Sequence, residues 1–308
     1  MNKYQVSYII PYRKSAEDRE RNLALTLKWL GSNFPDYEII IVEFDSTSKL
    51  NKSLLPANAK HIFHSYDGVF NRALARNIGA LNASHDILAF SDNDIIMSPE
   101  DFSFCVEQCH DKYQAVNPYF VCIDLTEEEL NTLDVEKNDL SVLYKPSESQ
   151  KSEDLNSHRE DLNFAGGNLI IRKKPFYYIG GWPEEMIGWG GEDDVISYKI
   201  DRFLTKKSFP NYIYHLPHAR TVYDWYDHPE FKNNCDKMNN VFKLADDELI
   251  EYCEKSKSEI LSSPYNCLKK EESEALLSYS LPAPRQISTL EQARREDDSV
   301  VAYPLIMD

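Results

Sequence analysis

The chain has 308 residues and a formal net charge of −17. That length suits one large α/β domain or two modest ones. The acidic balance excludes nucleic acid as a partner, because phosphate backbones repel it, while a phosphorylated small molecule stays open if basic residues or a metal gather locally.

The opening YQVSYIIP is a short β-rich run closed by Pro11, the pattern of a buried strand. No charged leader with a long apolar core precedes it, so no signal peptide is expected. No later run approaches the roughly 18 apolar residues of a membrane span. The protein is therefore expected in the cytoplasm, at most peripheral at the inner membrane. SAEDRERNLALTLKWLGSNF carries Leu23, Leu27 and Leu30 as a helical stripe, with Ser15 as its N-cap. YEIIIVEFD is a second buried strand and AKHIFHS a weaker third. GVFNRALARNIGALNAS puts Leu74, Ile78 and Leu81 on one helical face. HDILAFSDNDIIM is a strand running into acids, and SPEDFSFCVEQCH opens a helix with Ser98 at the N-cap and Pro99 first inside.

This alternation predicts an α/β fold with a doubly wound sheet. Ligands of such sheets sit beyond the carboxyl ends of the strands. Pro11–Arg13, Glu43–Asp45 and Asp92–Asp94 all fall there, so three polar clusters converge on one edge.

From Thr126 to Asp161 the chain is acidic and poor in apolar residues, which predicts a mobile excursion or lid. LNFAGGNLIIRKKPFYYIGGW then restores strand-like order. From about Glu230 the chain is helical and acidic, ending in a fraying tail, and no internal repeat is apparent. Six scattered cysteines without a CxxC pair read as reduced thiols.

Asp92 and Asp94 follow the apolar run ILAF. On an extended backbone, residues two apart share a side, so both carboxylates are expected to face one ligand. Two such charges need a positive partner, and a hard divalent cation, Mg²⁺ or Mn²⁺, is the economical one. An isolated DxD is more often a solvated turn; its place after the fourth strand favours the metal. In GWGGEDD, Glu192, Asp193 and Asp194 fill the first turn of a helix, which the dipole alone explains. The dipole does not explain Trp189 or its glycines. A flexing loop with an indole suits a sugar face, and a neighbouring carboxylate suits general-base work. In YHLPH, His215 and His218 are either ordinary histidines or ligands for a Mn²⁺-like metal. Arg13 and Arg72 suit phosphate binding, whereas Arg76 is taken as ordinary surface charge.

IIPYRKS, FNRALARNIGA, FSDNDIIM, the segment from FAGGNL to GWGGEDD, and HLPH occur in this order along the chain. In that order they resemble the β-1,4-galactosyltransferases and bacterial chondroitin-type polymerases over roughly residues 4–225. The resemblance implies a GT-A, Rossmann-like mixed sheet, and a metal-dependent, inverting glycosyltransferase over residues 1–228, followed by a helical extension and tail over 229–308. By the same resemblance Pro11, Tyr12, Arg13, Phe70, Arg72, Asp92 and Gly167 would bind a UDP-sugar donor. Asp94 and His218, with His215 three residues earlier, would hold Mn²⁺ or Mg²⁺. Trp189 would cover donor and acceptor, Glu192 would bind the acceptor and Asp193 would be the catalytic base. Val195 ends a run of acids that the animal enzymes extend, and Phe164 stands where they use a tyrosine near the donor's C2 group. The expected reaction moves a hexose or N-acetylhexosamine to a glycan or lipid-linked glycan acceptor in bacterial surface polysaccharide synthesis. The competing readings are a metal-dependent nucleotide-sugar hydrolase or nucleotidyltransferase, and a non-catalytic nucleotide-sugar binding module.

Overall fold

A computed structural model describes residues 4–133, 167–219 and 228–286. Strands β1 (Val6–Tyr12), β2 (Glu38–Asp45), β3 (Ala59–Ser65) and β4 (Ile87–Ser91) pair in parallel, as the alternation predicts. They belong to a seven-stranded sheet of order β3-β2-β1-β4-β8-β6-β9, completed by β6 (Ala115–Asn117), β8 (Asn168–Arg172) and β9 (Lys206–Ser208). β8 runs antiparallel to both β4 and β6, so the sheet is mixed. A second, three-stranded sheet joins β5 (Ile95–Met97), β10 (Tyr212–His215) and β7 (Val121–Asp124) in the order β5-β10-β7.

The alternation of side chains along each strand divides the core between two faces. Val6, Tyr8, Ile10, Ile39 and Ile41 face α1 (Glu17–Asn33) and α3 (Pro99–Asp111), packing on Leu23, Leu27, Leu30 and Phe102. Ile9, Ile40, Val42 and Phe44 face α2 (Arg72–Leu81). There α2 lies so close that a Cβ at Gly79 would overlap Ile9.

Ser98 and Pro99 cap α3 as expected, the Ser98 hydroxyl accepting the Asp101 N–H. Ser15 does not cap α1. Ala16 holds that position without a side-chain bond, and Glu17, Asp18 and Glu20 in the first turn complement the dipole instead. The acidic excursion opens with a single helical turn, α4 (Glu127–Leu130), closed by a Thr126–Glu129 capping box. Its remainder, with Phe164, lies outside the described residues.

After β8 come α5 (Lys173–Tyr178) and α6 (Glu192–Phe203), the latter on the predicted helix. Then follow α7 (Phe231–Phe242), α8 (Asp246–Leu261) and α9 (Lys270–Ser278). These last three helices pack into the same core cluster as the sheet, through Met238, Val241, Leu249, Cys253, Ile260 and Leu276. Buried Lys199 of α6 fixes one corner of that contact, donating to the Gly180 and Gly181 carbonyls at 3.2 and 2.6 Å. Among the described residues, no helix is long and apolar enough to cross a membrane.

Candidate active site at the carboxyl edge of the sheet

β1, β2 and β4 lie side by side and in parallel, so their carboxyl ends open onto one edge. Pro11 and Tyr12 end β1 and are buried. Arg13 follows and binds the loops together. Its guanidinium donates to the Phe44, Gly68 and Tyr66 carbonyls at 2.7, 2.8 and 3.2 Å and lies 5.4 Å from the Phe70 ring. Glu43 is likewise spent on its own loop, accepting the Lys49 and Leu50 N–H groups and facing His61.

The SDND segment is not extended. β4 stops at Ser91 and β5 starts at Ile95, with a turn between them. The turn is pinned on every side. Asp92 N–H donates to the Gly167 carbonyl at 2.9 Å, the Thr26 hydroxyl donates to the Asn93 carbonyl at 3.0 Å, and Leu216 N–H donates to the Asp94 carbonyl at 2.8 Å. The two carboxylates therefore have different partners, which corrects the expectation that they share a side. A turn abolishes the two-residue period on which that expectation rested.

Asp94 is buried. Arg19 of α1 makes a short ion pair with its Oδ2, and the Nε2 atoms of His215 and His218 both lie 3.6 Å from that oxygen. Burial alone would raise this carboxyl, but His215, Arg19 and His218 outweigh it and hold it at about 2. The ligand atoms of Asp94, His215 and His218 all fall within 4.8 Å of one another. One carboxylate oxygen and two imidazole nitrogens at that spacing fit a Mn²⁺-like cation. Both rings are oriented from behind. His215 Nδ1 lies 2.5 Å from Asp124 Oδ1, and His218 Nδ1 lies 3.0 Å from the Ala219 carbonyl. Strand register sets this up, for His215 is the cross-strand partner of both Asp124 and Ile95. Burial opposes a charged His215 ring, yet Asp124 and Asp94 raise it to about 9, so a cation bound there would take the place of the proton between His215 and Asp94.

Asp92 looks the other way. Arg76 Nη2 donates to its Oδ1 at 2.9 Å, while Arg76 Nη1 reaches Asp193 Oδ1 at 3.4 Å. Arg76 is 2 % exposed and sits 4.2 Å over the Trp182 ring. It is a buried bridge between two acids, not surface charge. Glu192, beside Asp193 at the start of α6, is buried and takes two hydrogen bonds from Arg72, at 2.9 and 2.6 Å. Burial opposes its ionisation, but Arg72 and Arg76 keep its carboxyl below the usual range. Asp193 behaves in the opposite sense. Enclosure and the Glu192 charge lift it well above the ordinary carboxylate value, with Arg76 and Arg72 offsetting part of the rise. Its side chain is 33 % exposed, so solvent tempers that rise.

Trp189 lies in the loop before α6, half-buried, with its ring 5.8 Å from Phe231. Gly188 N–H donates to the Phe70 carbonyl at 3.1 Å, which brings the Phe70 and Trp189 segments together. The residues that sequence reading missed are Arg76, Arg19 and Asp124. The i, i+4 spacing of Arg72 and Arg76 was a usable signal, since it puts both on one side of α2. Nothing in the sequence pairs Asp124 with His215, because that contact depends on a strand pairing across 91 positions.

The sequence model of the family described as Glycosyltransferase like family 2 matches residues 7–203. Validoxylamine A glucosyltransferase of Streptomyces hygroscopicus subsp. jinggangensis (strain 5008) is 25% identical over 216 residues, covering 63% of this chain and 51% of that protein. The chain thus spans about half the length of the curated relative it matches. Among solved structures, S. aureus TarS 1-349 in complex with UDP-GlcNAc matches at a TM-score of 0.50 and 16% identity, covering 89% of this chain and 78% of that one. The catalytic domain of Drosophila beta1,4galactosyltransferase 7, in complex with xylobiose, is 16% identical at a TM-score of 0.40, covering 64% and 60%. The TarS likeness agrees with the α/β fold expected from the sequence.

Proposed function

The chain belongs to glycosyltransferase-like family 2, as a glycosyltransferase of the GT-A fold, and on that premise we propose that it moves a hexose or N-acetylhexosamine from a UDP-sugar to a glycan hydroxyl with inversion. The observation that carries the reading is the pairing of Asp193 with Asp92 through Arg76 at the carboxyl edge of the sheet. It puts a partly open, basic carboxylate next to the turn expected to receive the donor diphosphate. The names of the similar proteins, a glucosyltransferase and a protein crystallised with UDP-GlcNAc, support a nucleotide-sugar donor.

In this reading Asp193 accepts the proton of the acceptor hydroxyl as that oxygen attacks the anomeric carbon, and the diphosphate departs on the opposite face. A single displacement inverts the centre. A lifted Asp193 helps, because a base works best with a pKa near the working pH. Asp94, His215 and His218 would hold a divalent cation, which when bound supplies Lewis-acid neutralisation of the leaving diphosphate. Pro11, Tyr12, Phe70 and Gly167 line the donor edge. Of the other residues expected to bind the donor, Asp92 is held by Arg76, Arg13 holds the loops that form that edge, and Arg72 fixes Glu192 for the acceptor instead. Trp189 covers the sugar. The reaction builds a surface polysaccharide precursor inside the cell.

The test is a donor screen. Purified protein with Mn²⁺ is given each common nucleotide sugar, and release of nucleoside diphosphate is followed with and without sugar acceptors. Release from one UDP-sugar, lost on chelation and raised by an acceptor, is the expected result. Release of monophosphate, or turnover indifferent to every acceptor, would favour a hydrolase or nucleotidyltransferase and overturn the proposal.

A further inference from the structure

The C-terminal helices have no counterpart in the motifs of the sequence, yet the first two turns of one of them lie against the Trp189 loop. Gly188, Gly190 and Gly191 adopt φ of 81°, 93° and 86°, a path that only glycine follows without strain. Each of the three lies against α7 or the residue before it. A Cβ would come within 3.0 Å of Glu230 at Gly188, 3.0 Å of Phe231 at Gly190, and 3.3 Å of the Asn234 carbonyl at Gly191. So these glycines serve a close approach as well as a turn. Left alone, such a segment would have many conformations, since glycine loses more freedom on ordering than any other residue.

Asn234 supplies the restraint. It is fully buried, and its Nδ2 donates to the carbonyls of Ile187 and Trp189 at 2.8 and 3.0 Å. One amide therefore holds the backbone on both sides of Gly188. Its neighbours on the same helical stripe act alongside. Phe231 packs beside the Trp189 ring, and Lys237 donates to the Glu185 carbonyl at 2.6 Å. Asn234 Oδ1, by contrast, is buried without a hydrogen-bond partner. An orphaned buried acceptor is costly, and an apolar side chain of that size would avoid it. The Nδ2 bonds to the loop are what justify an amide there.

We propose that Asn234 is a positioning residue for the transfer reaction: it holds the Gly188–Gly191 loop so that the Trp189 indole faces the sugar. The inference rests on reading Trp189 as the sugar-covering residue, and it makes the C-terminal extension part of the active site. Asn234 itself bonds to neither β1 nor α2; the loop it holds meets the nucleotide end at the Gly188 N–H, which donates to the Phe70 carbonyl.

Two readouts test it. The first is ¹⁹F NMR of protein labelled with 5-fluorotryptophan, with Trp189 assigned through Trp189→Phe. One narrow Trp189 resonance is expected, and Asn234→Ala should broaden or split it while Trp29 and Trp182 stay in place. An unchanged Trp189 resonance would overturn the proposal. The second is calorimetry with UDP and with UDP-glucose. Trp189→Ala and Asn234→Ala should both leave UDP affinity unchanged and weaken UDP-glucose by about three- to tenfold, the worth of one aromatic contact. The double variant should match Trp189→Ala, because the amide acts only through the indole. Additive losses, or a loss from Trp189→Ala with none from Asn234→Ala, would sink the role of Asn234 alone. No loss from Trp189→Ala would remove the Trp189 reading and the proposal with it. Asn234→Leu, of similar size but without polar atoms, repeats both arms if the alanine variant is unstable.

Discussion

Asp94 and Asp193 lie at the same edge of one sheet, and their surroundings drive them in opposite directions. Asp94 is enclosed by one arginine and two histidines and is held at about 2. Asp193 is enclosed beside another carboxylate and is lifted well above the ordinary value, although Arg76 offsets part of the effect. Burial works the same way on both. The neighbours differ in sign, and Asp193 is the more open of the two, 33 % exposed against 3 % for Asp94. A carboxyl kept anionic under all working conditions is suited to a cation, and one whose proton affinity is raised is suited to taking a proton. Pairs of acids driven apart in this way are the usual mark of divided labour.

The largest test of that division is Asp193→Asn. It should lower kcat by about 10²- to 10⁴-fold, the range for a general base, with calorimetric UDP affinity preserved. Near-normal turnover would remove the base from the scheme. Asp94→Asn comes next and should act on a different quantity. Mn²⁺ affinity, followed by electron paramagnetic resonance, should fall by more than about a hundredfold, because even a residue that only orients a ligand is worth 10- to 100-fold. Undiminished Mn²⁺ binding would mean that the Asp94, His215 and His218 cluster is only a buried ion pair.

Most of the architecture behind this comparison was legible in the sequence, and the partners were not. The four parallel strands follow from apolar runs spaced by helical stripes, and α6 from Val195, Ile196, Ile200 and Phe203 behind three acids. Asp92 and Asp94 stand out because they follow the apolar run of β4, whereas Asp193, in the first turn of α6, and the His215–His218 pair take their expected roles from the family resemblance. What failed was the direction of side chains at a turn. Asp92 and Asp94 look like an extended pair until Thr26, Gly167 and Leu216 fold the segment. Arg76 was misjudged because a helix shows its charge in sequence but not its neighbours, and burial on Trp182 is a tertiary fact. The role of α7 was hidden for the same reason: Asn234 and Trp189 are 45 positions apart.

Arg76→Gln probes what moderates Asp193. The active base is the anion, so the rate rises with pH through the Asp193 pKa. Arg76 favours that anion, and its removal should move the rise in kcat/KM to higher pH. At fixed neutral pH the loss should be about tenfold for every whole pH step by which the rise moves, and alkaline buffer should restore much of it. A loss that pH does not recover would show Arg76 holding geometry alone.

The smallest effect is expected from Glu192→Gln, and its value lies in its sign. Glu192 raises Asp193 by repulsion, second only to enclosure. Removing that charge should lower the Asp193 pKa and move the rise in kcat/KM to lower pH, opposite to Arg76→Gln. Arg72 adds to the effect, since without Glu192 its charge is no longer balanced and favours the Asp193 anion further. The height of the profile can fall as well, because Glu192 is expected to bind the acceptor. The midpoint is therefore the quantity to read. It should move down the pH scale, by less than full enclosure would give, as solvent at the partly open Asp193 weakens the coupling. If both variants moved the midpoint the same way, the limb would report some group other than Asp193. Opposite displacements would tie the limb to Asp193, on which Arg76 and Glu192 act with opposite sign.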